Sequence, residues 1–100
     1  MHHFLIELTY TAPLSAIDAA LGEHRQFLQG GYDRGLLLMS GPMTPRTGGV
    51  IIARGESQEI VEAFFRDDPF HVRGLASYRI VEFNPVKHQP QIAQWCAAGA

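Results

Sequence analysis

Residues 3 to 10, HFLIELTY, alternate strictly: Phe4, Ile6, Leu8 and Tyr10 point one way, and His3, Leu5, Glu7 and Thr9 the other. A period of two with β-formers in it predicts a strand. Thr11-Ala12-Pro13 breaks that strand, and Pro13 can open a helix. From there the period lengthens: Leu14, Ile17, Leu21, His24 and Leu28 recur at three- and four-residue steps and share one helix face. The spacing predicts a helix over 14–34, with Gly30-Gly31 weakening its last turns and Gly35 capping it.

The remaining chain repeats these two periods. Leu36 to Met43, LLLMSGPM, reads as a second strand and Val50 to Arg54, VIIAR, as a third. Thr44-Pro45-Arg46-Thr47-Gly48-Gly49 between them is turn chemistry, so the two strands form a hairpin with Gly48-Gly49 at its tip. Ser57 suits an N-cap for a second helix over 58–66, with Glu59 in its first turn and Ile60, Val61, Phe64 and Phe65 on its apolar face. Asp67-Asp68-Pro69 stops that helix, because the residue before proline avoids the helical region. Phe70 to Gly74 is a turn or a single helical turn, and SYRIVEFN, residues 77–84, is a fourth strand. A tail from Val86 carries an apolar patch around Ile92 and Trp95 that docks as a short helix or covers an edge.

The order β-α-β-β-α-β predicts an α+β fold, the ferredoxin-like sandwich. At 100 residues the chain is one domain, expected over 1–87 with a tail over 88–100. Two helices cover one face of a four-stranded sheet. The other face is then expected to carry Leu5, Thr9, Leu36 or Leu37, Ile51 or Ile52, Val81 and Phe83. An apolar second face calls for a partner, and a homodimer packed through the sheet face would bury it. The competing reading is a monomer whose second face is covered by the tail.

Charge and composition narrow the partners. Net charge is -2 with 8 basic residues, which gives no electrostatic footprint for nucleic acid or anionic membrane. The strands show no aromatic pattern of the kind that stacks RNA bases. No apolar run reaches the ~20 residues that span a bilayer, and the first ten residues lack the basic region and cleavage site of a signal peptide. The lone Cys96 cannot make an internal disulfide, which fits a cytoplasmic location or a leader removed beforehand. It reads as a bystander, since nothing near it in sequence would activate a thiol.

His24 is the most informative residue. It lies on the apolar stripe of the first helix between Leu21 and Leu28, where an imidazole must find a partner or lose solvation. It is either a core histidine satisfied by a backbone carbonyl or a general acid/base beside a pocket. Asp68 continues the buried face of the second helix, at the carboxyl end where the dipole disfavours an anion; its plain reading is an Asp-Pro stop. If the two meet, the carboxylate orients the imidazole. The nearby backbone of Ser40-Gly41-Pro42 is either a strand end or a ligand wall. Phe27, Phe64, Phe65 and Phe70 either line a pocket or fill the core. Arg46, Arg73 and Arg79 are either solvated or anion-binding. The five histidines are scattered without HxxxH or CxxC spacing, so no metal is expected, and His2-His3 reads as an exposed start.

Together these segments resemble the YciI-like (YCII-related) family over residues 1 to 87. Four features carry the resemblance: the opening strand HFLIELTY, the mid-helix histidine in His24-Arg25-Gln26-Phe27-Leu28, the segment LLLMSGPM, and Asp67-Asp68-Pro69-Phe70. It implies a dimeric α+β barrel of ferredoxin-like subunits and an active site built on a histidine and an aspartate, which fall on His24 and Asp68. Ser40, Gly41, Pro42 and Phe70 would then bind the substrate. The family is similar in fold to muconolactone isomerases, and one relative is a dehydrochlorinase acting on a chlorinated hydroquinone. The chain departs from many relatives in its short Thr44 to Gly49 connection and its tail after Lys87. The expected function is a cofactor-free enzyme acting on a small cyclic or unsaturated molecule by lyase, dehydrochlorinase or isomerase chemistry. The alternative is a non-catalytic ligand-binding or protein-interaction domain in which the His24–Asp68 pair is structural.

Overall fold

The computed structural model describes residues 1–97, so the last three residues of the expected tail lie outside the described residues. Strand β1 (His2–Tyr10) leads into helix α1 (Leu14–Asp33), followed by β2 (Leu37–Pro42) and β3 (Gly48–Gly55). Helix α2 (Gln58–Phe65), a single-turn helix α3 (Pro69–Val72) and β4 (Ala76–Phe83) complete the domain. A 3-10 turn (Pro90–Ile92) and a short helix α4 (Ala93–Ala97) come after it. The four strands form one antiparallel sheet in the order β2-β3-β1-β4. This is the ferredoxin-like α+β fold expected from the order of periods.

The inward half of β1 makes the centre of the core: Phe4, Ile6 and Leu8 are buried under Ile17, Ala20 and Leu28 of α1. Each such side chain contributes roughly 1.5–3 kcal/mol by leaving water. Ile51 and Ala53 of β3, Leu37 of β2 and Ala76 of β4 extend the same face. Of the alternatives weighed for the outer face, Leu37 and Ile51 therefore belong to the core; Leu5, Ile52 and Val81 are half-buried on the other side. Two helical positions also differ from expectation. Leu14, the first residue of α1, is 44% exposed, and Ile60 is 47% exposed beside the Val61 and Phe65 that α2 buries.

The glycines explain two boundaries. Helix α1 runs through Gly30-Gly31 because a Cβ on Gly31 would collide with Phe64 and Leu37; the helix end needs that closeness. Gly35, at φ +73, then ends the helix in the left-handed region. Gly48 and Gly49 are not a hairpin tip. They are the first residues of β3, paired with Thr9 and Leu8, and a Cβ on Gly48 would run into the Leu8 carbonyl. The turn itself is Met43 to Thr47, closed by Met43 N–H donating to Gly48 O at 2.8 Å.

The tail docks as a short helix on the outer sheet face. The Arg54 guanidinium lies 4.0 Å from the Trp95 ring centroid and donates to the Trp95 carbonyl at 3.0 Å. His3 pairs with Arg54 across β1 and β3, and its ring faces Trp95 at 6.4 Å. His3 is thus 5% exposed, not the exposed start that sequence suggested, because residues over ninety positions away close over it. His2 beside it is exposed and pairs with Glu82 at 2.7 Å. No helix among the described residues is long and apolar enough to cross a membrane.

Candidate active site

His24 and Asp68 meet. The imidazole Nδ1 lies 2.8 Å from Asp68 Oδ1; His24 is 8% exposed and Asp68 is 0%. They come from separate elements: α1 presents His24 on its buried stripe, and the joint between α2 and α3 presents Asp68. The joint corrects the sequence expectation for Asp68. It does not hang unfavourably at the end of α2 but caps the start of α3, accepting from the Phe70 N–H at 3.0 Å, with Pro69 in the first turn. An aspartate before proline is suited to that place, since proline lacks the N–H that the first helical position would waste. Asp67 beside it is exposed.

A third donor reaches the same group. The Tyr78 hydroxyl on β4 donates to Asp68 Oδ2 at 2.5 Å. Burial, reinforced by that hydrogen bond to a carboxylate, pushes the Tyr78 phenol well above its ordinary 10, so the phenol remains a donor. Asp68 therefore accepts from His24 and Phe70 on one oxygen and from Tyr78 on the other. This arrangement answers the cost of an anion in the core: a buried charge is tolerated when its lone pairs are met. Among the described residues no buried side-chain nitrogen or oxygen lacks a partner.

The accepting carboxylate also fixes the proton on the imidazole. A carboxylate offers only lone pairs, so Nδ1 carries hydrogen and the neutral ring leaves Nε2 bare. Ring orientation is held from below as well. Phe70 stacks on His24 with centroids 3.9 Å apart and planes 2° from parallel, and Tyr10 meets Phe70 edge-on at 6.1 Å. One residue, Phe70, thus supports the imidazole with its ring and the carboxylate with its backbone.

His24 opens on a cleft of about 380 Å³ between α1 and the sheet. Such a volume is at the small end of ligand pockets. The residues expected to bind substrate, Ser40, Gly41, Pro42 and Phe70, all line it, whereas Asp68 lies behind His24. Ser40 is held by Tyr32 of α1, hydroxyl to hydroxyl at 2.6 Å. Leu8, Leu21, Leu28 and Ile51 supply apolar wall, and Tyr10, Arg25 and Arg46 supply polar groups. Of the four phenylalanines, only Phe70 reaches this cleft. Phe27, Phe64 and Phe65 pack on one another, with centroids 4.6 to 6.4 Å apart, between the helices.

Arg46 is not simply solvated: it pairs with Asp18 of α1 at 2.6 Å. Arg73 pairs with Glu23 at 2.8 Å and Arg79 with Glu7 at 3.4 Å, both away from the cleft. Cys96 lies half-buried in α4, on the other side of the sheet. No group of three His, Cys, Asp or Glu side chains able to hold a metal ion occurs among the described residues.

The geometry can be set beside known proteins. The model of the YCII-related domain matches residues 1–84. Among solved structures, the chain is similar to 5-chloro-2-hydroxyhydroquinone dehydrochlorinase (TftG) from Burkholderia phenoliruptrix AC1100, described in complex with 2,5-dihydroxybenzoquinone. The TM-score is 0.72 with 22% identity, over 89% of this chain and 97% of that one. At that identity the likeness is one of fold. No curated protein sequence matches the chain.

Proposed function

The chain belongs to the YCII-related family, and from that premise we propose that it is an acid/base enzyme of lyase type acting on a small cyclic or unsaturated substrate. The observation that carries the reading is the state of His24: its Nδ1 proton is held by a buried carboxylate, and its Nε2 opens on the cleft. A base at Nε2 takes a proton from the substrate. The electron pair released makes a new π bond and expels a leaving group as its anion, so that HX is lost overall. The same proton, returned to a different atom, gives isomerisation. Asp68 balances the positive ring while it holds the proton, and Phe70 keeps the ring plane fixed.

The fold likeness to a dehydrochlorinase bound to a dihydroxybenzoquinone supports the elimination variant, and a cleft of about 380 Å³ suits one substituted ring. Ser40, Gly41 and Pro42 line the same cleft as the base. The test is chloride release from a chlorinated hydroquinone, with 2,5-dihydroxybenzoquinone as the binding probe in a thermal shift. His24→Ala is expected to cut turnover by at least ~10²-fold, the usual share of a positioned acid/base, while the probe still binds. Full activity in a folded His24→Ala protein ends this reading; a wild-type protein that binds the probe but turns nothing over favours a binding domain.

A homodimer through the outer sheet face belongs to the same proposal. Leu5, Ile52 and Val81 are half-buried there, Phe83 is 42% exposed, and α4 covers the His3–Arg54 end. Sedimentation equilibrium reads it directly: a monomer at micromolar concentration removes it.

A further inference from the structure

We propose, resting on the reading of the cleft as the substrate site, that the substrate enters as an anion, a carboxylate or phenolate, and that Arg46 and Arg25 select it. The chain as a whole carries a net charge of -2, yet two arginines line this one cleft. Among the described residues its lining includes Arg25 and Arg46 and not one aspartate or glutamate, Asp18 meeting Arg46 from outside the lining. Basic groups gathered in a concave site concentrate the field where an anionic ligand would sit.

Arg46 is also placed rather than free. Its Nη2 donates to Asp18 on α1 at 2.6 Å, which ties the β2–β3 turn to the helix across the cleft mouth. That hydrogen bond, first, and then one with the nearby Tyr10 hydroxyl raise the pKa of the guanidinium. The side chain is 34% exposed, so its stem is laid against the protein and its fork stays accessible. A guanidinium has five N–H groups, and the bonds to Asp18 and Tyr10 engage two. The remaining donors match the two oxygens of a carboxylate or an oxygen pair on a dihydroxylated ring. Arg25 lies one residue beyond the base on α1 and adds a second positive charge to the same wall.

The experiment compares benzoate with its neutral isostere benzamide, by amide chemical-shift titration of the whole protein. Benzoate is expected to shift the backbone amides of Gly41 and Gly49 and to bind roughly tenfold or more tightly than benzamide, the worth of one charge-assisted pair. Arg46→Gln is expected to erase most of that preference, Arg46→Lys to keep part of it, and added salt to weaken benzoate alone. Arg25→Gln, at an exposed helical position, lowers benzoate affinity without touching the Asp18 pair. Equal binding of the two probes, an unchanged ratio in both glutamine variants, or no shift at the cleft amides overturns the proposal. The readout is binding, so selectivity without turnover would remove the acid/base reading and leave this one standing, and turnover without selectivity the reverse.

Discussion

Each face of the sheet holds one buried histidine, and the two are kept in opposite company. His24, on the helix-covered face, is met by the Asp68 carboxylate at 2.8 Å. His3, on the outer face, lies beside the Arg54 cation under Trp95. Burial lowers the His3 pKa below its ordinary 6.5, and the charges of Arg54 and the amino terminus add to that, against a hydrogen bond with the Cys96 backbone. One ring is held beside an anion and the other beside a cation. Depth in the core does not separate them; the sign of the nearest charge does.

The comparison can be broken most forcefully at Asp68. Asp68→Ala leaves His24, Tyr78 and the Phe70 amide without their acceptor, and is expected to destabilise by about 3–5 kcal/mol in urea denaturation. Asp68→Ala behaving like a surface substitution would mean that the helix-covered histidine needs no anion. Next comes Tyr78→Phe, which removes one donor to that carboxylate and is expected to cost ~1–2 kcal/mol. The phenol itself gives a pH signature. With a folded pKa above the unfolded value near 10, its share of stability is complete below pH 10 and is lost as pH rises beyond it. Ultraviolet titration is thus expected to show Tyr78 ionising only as the protein unfolds.

On the outer face the effects are smaller. Trp95→Ala uncovers His3 and part of the sheet, at an expected ~1 kcal/mol, with no change at the cleft, because distant sites act additively. Smallest is the acid response of His3. Its lowered folded pKa means that the unfolded chain binds the proton first, so stability falls as pH drops through 6.5, by less than ~1 kcal/mol. The chain has one tryptophan, which lies against His3, so its fluorescence should report the loosening of α4 over that range. An emission flat from pH 7 to 5 contradicts the outer half of the comparison.

How far the sequence reveals each half depends on the range of the contacts. Period two and period 3.6 fix β1 and α1 because each side chain's direction is set by its own backbone. The inward position of His24 comes from the same local rule, that of Asp68 from capping α3 rather than from the period of α2, and their meeting follows once the fold is known. Tyr78 escapes a reading by period: on SYRIVEFN it alternates with Ile80 onto the core face, where it reads as an ordinary aromatic. The available signal is chemical, since a buried phenol needs a partner that phenylalanine does not. The burial of His3 by Trp95 and the Arg46–Asp18 pair carry no such signal. Both are made by docking of a tail or a turn, and no period encodes which residue will lie across the gap.

Asp68 does more than meet His24. Through its two oxygens α1, α3 and β4 are fastened at a single point, 44 positions apart along the chain in one direction and 10 in the other. A proton arriving on His24 therefore alters the tightness of that fastening, and with it how readily the amides of Phe70 and β4 exchange with solvent.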